Sequence, residues 1–298
     1  MPTYNDGHFK RDLRNNRMEK APLPRPLPHL ETLLGPDARD FSSQNWPNEP
    51  RLFKAEPKRM DWLLDAIPRD LSQLSRYTRL RLRAWWINQN GDFQQTQLTQ
   101  ENLQHRRPEA TVVVDRLEEA FPHVGRFLRS LGSELAIPLK AATASFYVSN
   151  KNQSTRVHYD QQEVFLHQVE GEKTWHYSKC EEAVFPDRPN FGPSSASRDG
   201  GITLPTDLSD FETVTLLPGD ILFLPRGWWH QSLALSDSYS LTWTLWCMNK
   251  AEQLLEQLYP VLREEASARM IASPANDINW DEMKEILRYG LAGLPHSD

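Results

Sequence analysis

The 298-residue chain has only two cysteines, Cys180 and Cys247, and no C-x-x-C spacing. This excludes a disulfide framework and a structural thiolate zinc site, and it fits a reducing compartment with two buried thiols. No run of about eighteen apolar residues occurs, so no helical membrane span is expected. The opening M-P-T-Y-N-D-G-H-F-K-R has no apolar h-region, so no secretory leader is expected and the expected location is cytoplasmic. Positive charge is not in excess: the net charge of -6 gives no general electrostatic reason to bind nucleic acid. What remains is a chain 39% hydrophobic and 25% charged, with ten tryptophans, the composition of a globular protein with a substantial core.

Four segments are expected. Residues 1–50 are polar and proline-studded, with P-L-P-R-P-L-P from Pro22 to Pro28, and read as an extended arm over the folded body. Residues 51–140 form an α/β flank, with a short helix over Met60 to Ile67 stopped by Pro68. A half-buried strand follows over Arg79 to Trp86, its three arginines on one solvated face, and another over Thr111 to Val114. Asp115 should then N-cap a helix that Pro122 splits, with His105 and His123 as surface histidines.

From 141 to 247 the chain alternates short apolar strands with Gly, Pro and Asp turns: 141–148, 154–159, 162–169, 173–178, 211–217, 221–224, 230–235 and 238–246. This predicts a mainly β fold with flanking helices, its core a double-stranded β-helix, or jelly roll, of the cupin type. The stretch 186–210 lacks periodicity and reads as a long loop contributing to substrate selection. Residues 248–298 read as a C-terminal helical appendage: one helix over Lys250 to Met270 interrupted by Pro260, and a second over Asp281 to Tyr289 with Asn279 as a candidate cap.

The chemistry sits in T-R-V-H-Y-D-Q-Q-E-V-F-L-H-Q-V-E-G-E-K-T-W, from Thr155 to Trp175. On a strand, residues two apart share a face, so His158 and Asp160 converge. Seventy residues on, L-L-P-G-D-I-L-F-L-P-R-G-W-W-H supplies His230 after two turns and a short strand. Two histidines and one carboxylate on one side of a metal leave the other side open, the arrangement of non-haem Fe(II) oxygenases. Counting by twos from Asp160 puts Gln162, Val164, Leu166 and Gln168 inward and His167 on the other face; His176 is likewise out of phase with Lys173. Lys173 and Trp175 share the interior face, where a buried ammonium needs an anion. Tyr147, Ser240 and Thr242 are candidate hydrogen-bond donors to that anion; Trp228 and Trp229 are expected to wall the site. Gln162, Trp175 and Trp228 are the candidate substrate-pocket residues.

These blocks resemble the JmjC and cupin-like 2-oxoglutarate oxygenases, especially the ribosomal oxygenases and the asparaginyl hydroxylase acting on hypoxia-inducible factor. The resemblance is densest over residues 140–247. It places His158, Asp160 and His230 on the family's iron-ligand motif and Lys173 where the family grips the distal carboxylate of 2-oxoglutarate, assisted by a hydroxyl at Thr155. It also implies a homodimer through the C-terminal helices. The chain departs from the pattern at Val164, where the asparaginyl hydroxylase has Asn, and at Arg156, where ribosomal oxygenases tend to have a small residue. Those departures leave the cofactor expectation, Fe(II) and 2-oxoglutarate, and remove any inference to a specific substrate. The expected function is hydroxylation of a protein or peptide side chain with release of succinate and CO2. The alternatives are a hydroxylase of a free amino acid or natural-product intermediate, a non-catalytic cupin module binding metal or a small acid, and a zinc cupin hydrolase or isomerase.

Overall fold

The computed structural model describes residues 26–43, 48–54, 58–90, 93–106, 108–135, 139–189, 202–264 and 280–292. The polyproline stretch before Pro26, the middle of the 186–210 loop, the end of the first C-terminal helix beyond 264 and the Asn279 cap lie outside them.

The elements in chain order are α1 (Pro28–Leu34), a 3-10 turn (Gly35–Asp37), α2 (Ala38–Ser43), β1 (Arg51–Phe53), α3 (Asp61–Leu64), α4 (Leu71–Leu74), β2 (Arg81–Ile87), β3 (Phe93–Gln97), α5 (Gln100–Arg106) and β4 (Thr111–Asp115). Then come α6 (Leu117–Ala120), α7 (Pro122–Leu135), β5 (Leu139–Ser149), β6 (Glu163–Glu170), β7 (Lys173–Lys179), β8 (Glu212–Leu216), β9 (Ile221–Leu224), β10 (Trp228–Ala234), β11 (Ser238–Cys247), α8 (Lys250–Leu262) and α9 (Trp280–Ala292). An eight-stranded sheet in the order β1-β9-β6-β11-β5-β4-β2-β3 faces a three-stranded sheet, β10-β7-β8. All recorded pairings are antiparallel, so the two sheets make the expected jelly roll. The flank and the barrel share the large sheet, because β4 pairs with β5 and carries β2 and β3 outward.

Each face of the large sheet has its own core. Phe165, Phe223, Leu241 and Trp243 point outward and meet α1, α2 and α7 through Leu30, Leu33, Leu34, Phe41 and Phe127. Val164, Leu166, Leu222 and Leu224, one residue out of phase, point inward against Trp175 and Leu216 of the small sheet. Period-two alternation thus sends alternate residues of one strand to a helix-covered face and to the barrel interior.

Several local expectations are corrected. The extended arm expected over 1–50 is helical from Pro28 to Ser43. Pro28 occupies the first turn, where its missing N–H costs nothing, and Leu30, Leu33 and Leu34 make an apolar stripe at helical spacing. The Glu134 carboxylate of α7 accepts from the His29 and Leu30 backbone N–H groups at 3.0 and 2.8 Å, anchoring the helix start. Asp115 is not a cap: Arg116, at φ 69°, begins α6 with no side-chain cap, and the Asp115 carboxylate turns instead to Arg83. Arg83 is therefore not on a solvated face. Pro122 does split the helix, standing at the start of α7. Pro260 does not end α8, which runs two residues past it from a capping box of Asn249 and Glu252. Cys180 is buried and Cys247 only partly so, and both are free thiols.

Candidate metal centre

The segment carrying His158 and Asp160, expected as a strand over 154–159, is not a regular strand but pairs through isolated bridges, Ser154 to Leu233 and His158 to His230. The His158 N–H donates to the His230 carbonyl at 3.1 Å and the reverse bond is 2.8 Å, so the two histidines stand opposite each other. One turn earlier, Gly227 at φ +81° donates to the Asp160 carbonyl at 2.9 Å. A Cβ there would sit 2.5 Å from the Ala183 carbonyl oxygen, so the P-R-G-W-W-H turn requires glycine where it registers the two ligand segments.

The ligand atoms of His158, Asp160 and His230 lie within 4.8 Å of one another. The His rings are 4.2 Å apart between centroids, and His230 Nε2 is 3.6 Å from Asp160 Oδ2. Each imidazole places Nδ1 2.9 Å from a backbone carbonyl, that of Arg156 for His158 and that of Trp228 for His230. A carbonyl oxygen only accepts, so Nδ1 carries the proton and the Nε2 lone pair is left for a cation. Burial and then the His230 ring lower the His158 pKa to about 4, keeping it neutral, the form that binds metal. The donor set, its tautomers and its charge state fit a divalent first-row metal with open positions.

Behind this triad is a buried polar chamber lined by Lys173, Thr155, Tyr147, Ser149, Trp175, Ser232, Ser240 and Thr242 together with the three ligands. Lys173 Nζ donates to Ser240 Oγ at 3.0 Å and Ser149 Oγ at 3.4 Å, and meets no carboxylate among the described residues. Thr155 Oγ1 accepts from the Ser232 N–H at 2.9 Å, which fixes its hydroxyl in the chamber wall. Burial, then the Asp115 charge, raise the Tyr147 phenol pKa above its ordinary value, so it remains a hydrogen-bond donor. Ser149 and Ser232, which sequence reasoning missed, join this set. Each is a small hydroxyl residue at an inward strand position, a pattern shared with many unremarkable core serines.

Outside the triad a wider cleft of about 900 Å³ opens, lined among others by Arg83, Trp85, Phe93, Asp115, Tyr147, Arg156, Gln162, Arg188 and Trp246. Of the substrate-pocket candidates only Gln162 is in this cleft. Trp175 lines the inner chamber beside the His230 ring, at 5.9 Å between centroids. Trp228 lines neither space: its indole donates to the Asn48 carbonyl at 3.1 Å and its ring packs on Tyr177. Trp229 faces away, against Tyr159. His167 is buried on the outer, helix-covered face, and His176 bonds Thr213, so neither reaches the triad.

Burial of Lys173 lowers its pKa from 10.5 to about 8. An unfolded chain then binds this proton more tightly than the folded chain does between pH 8 and 10.5, so folded stability from this group rises with pH across that window. The cation costs at most about 3 kcal/mol below it. Ligand-free protein is therefore expected to gain stability in denaturant melts between pH 7.5 and 10. Lys173→Met should flatten that rise and stabilise the ligand-free form at neutral pH.

A JmjC domain model matches residues 128–253. Among curated proteins the chain is 30% identical over 131 residues to the uncharacterised protein YxbC of Bacillus subtilis, covering 41% of this chain and 40% of that one. It is 35% identical over 120 residues to the bifunctional lysine-specific demethylase and histidyl-hydroxylase NO66 of Drosophila pseudoobscura pseudoobscura, covering 39% of this chain and 11% of that one. The chain thus spans less than half the length of these relatives. Among solved structures, Escherichia coli YcfD, a ribosomal oxygenase in complex with cobalt and 2-oxoglutarate, superposes with a TM-score of 0.58 at 19% identity, over 88% of this chain and 68% of that one. Residues 128–253 thus match the JmjC domain model, and the chain shares the fold of Escherichia coli YcfD.

Proposed function

We propose that the chain is an Fe(II)- and 2-oxoglutarate-dependent oxygenase that hydroxylates a side chain of a protein or peptide, releasing succinate and CO2. One observation carries this reading: a single chamber joins an open-faced His158, Asp160 and His230 triad to a buried lysine that has hydroxyl partners and no carboxylate partner among the described residues. A dicarboxylate that chelates a metal at one end and meets an ammonium at the other satisfies both features. A module that binds only metal would need the triad alone, so the lysine in the same chamber favours a reading in which a dicarboxylate is bound with the metal. The relatives' names, a histidyl-hydroxylase and a ribosomal oxygenase, support a polypeptide substrate.

When bound, the metal would couple decarboxylation of the 2-oxo acid to dioxygen reduction, one oxygen atom entering succinate and the other a substrate C–H bond. The protein's own residues supply the rest. His158 and His230 offer Nε2 because backbone carbonyls hold Nδ1–H, and Asp160 supplies the negative charge. Lys173, with Ser240 beside it, would take the far carboxylate, with Thr155, Tyr147 and Thr242 as further hydroxyl partners. Leu166 and Trp175 line the same chamber and keep bulk water from it, which strengthens each of these contacts.

Purified protein incubated with Fe(II), 2-oxoglutarate and ascorbate in air is expected to form succinate slowly without added substrate. No succinate above a metal-only control would overturn the oxygenase reading. The homodimer belongs to the same proposal: Leu254, Leu255 and Tyr259 of α8 and Leu287 and Leu291 of α9 are exposed apolar residues. Sedimentation should give twice the monomer mass, and charge substitutions at Leu255 and Tyr259 should return it to one.

A further inference from the structure

The cleft outside the triad holds three arginines whose charges are matched differently. Arg83 points its Nε and Nη2 at Asp115, with contacts of 2.6 and 3.0 Å, so that pair is neutral as a unit. Arg188 stands exposed at the rim. Arg156 lines the cleft two residues before His158, its guanidinium over the Phe93 ring at 5.2 Å from the centroid. Its Nε and Nη2 are shielded from solvent and meet no hydrogen-bond acceptor among the described residues.

Those two nitrogens form the edge of a guanidinium that gives two parallel N–H bonds to one carboxylate. Arg83 uses that same edge on Asp115 in the same cleft. Among the described residues, the carboxylates lining the cleft are Asp115, already taken, and Asp160, which belongs to the triad. Arg156 does not line the inner chamber, where Lys173 stands, so it is not part of the dicarboxylate's hold. A shielded cation without an anion costs free energy, and a ligand that brings the anion recovers it.

We propose that Arg156 is a specificity residue whose guanidinium turns from its shielded resting position to pair with a carboxylate of the substrate, so that the substrate of this cleft is acidic. The inference rests on the oxygenase reading only for calling the ligand a substrate. Arg156 and the His158 and Asp160 ligands line the same cleft, so an acidic group paired with the guanidinium lies in the space onto which the triad opens. The same chemistry can come from an aspartate or glutamate side chain of a polypeptide or from a free amino acid.

The test is calorimetric titration of the full chain loaded with Mn(II) and saturating 2-oxoglutarate without oxygen, so that no probe is consumed. The probes are acetyl-Ala-Ala-Glu-Ala-Ala-amide, its Gln counterpart, and N-acetylglutamate set against N-acetylglutamine. Wild type should bind an acidic probe at least about tenfold more tightly than its neutral counterpart. Arg156→Met should abolish that preference, and Arg156→Lys should restore part of it. A preference limited to the peptide, or to the free acid, identifies the source of the carboxylate. Equal affinity for acidic and neutral probes, no binding of either acid, or a preference that survives in Arg156→Met would overturn the proposal. Succinate formation by wild type without any probe tests the oxygenase reading separately, and its absence would leave a measured carboxylate preference standing.

Discussion

His158→Ala should abolish succinate formation and lower metal affinity by more than about two orders of magnitude, since it removes a ligand rather than a group that merely orients one. Metal content after dialysis, with succinate measured by mass spectrometry, checks both effects. The same substitution at two other histidines controls for generic damage. His176 bonds Thr213 at 2.9 Å on the far side of its strand, and His176→Ala should leave metal content unchanged. His167 is buried among the outer-face residues, where burial lowers its pKa to about 4, so His167→Ala should act on stability instead. Loss of metal in His176→Ala, or its retention in His158→Ala, would contradict the assignment.

Lys173→Met should raise the 2-oxoglutarate dissociation constant by about two orders of magnitude, the scale expected when one member of a buried charge pair is removed. Metal affinity without 2-oxoglutarate should change only a few-fold, because Lys173 touches Ser240 and Ser149 and none of the three ligands. Ser240→Ala should give a smaller loss of several-fold, matching one hydrogen bond to a charged group. Calorimetric titrations of metal and of 2-oxoglutarate, done separately, distinguish these effects. Equal loss of both affinities in Lys173→Met would mean that the lysine supports the fold of the site rather than the co-substrate.

The parts of this site legible in the sequence follow from strict strand periodicity and from residue types with few other uses. His158, Asp160, His230 and Lys173 combine rare interior polarity with a two-residue register, and the inward set counted from Asp160 matches the lining through Gln162, Val164 and Leu166. The count survived although the His158 segment is bridged to β10 rather than built as a regular strand, because two reciprocal backbone bonds hold the register across it. What failed was whatever tertiary partners decide. Asp115 has the residue type of a helix cap, and nothing local shows that Arg83, thirty-two positions earlier, competes for its carboxylate. Trp228 shares parity with His230, yet its indole is drawn outward to the Asn48 carbonyl. The arm turned helical from Pro28 because the alternating prolines of 22–28 give way there to an apolar stripe, which the Pro-rich composition of the whole segment had masked.

Anaerobic titration of Fe(II) into the metal-free protein, followed by visible absorption as 2-oxoglutarate is added, reads the iron site and the co-substrate site together. One iron should bind per chain, with a weak visible charge-transfer band that appears only when the 2-oxo acid is present, is lost in His158→Ala, and needs far more 2-oxoglutarate in Lys173→Met. Iron binding without any such band, or a band that persists in His158→Ala, would contradict the oxygenase reading.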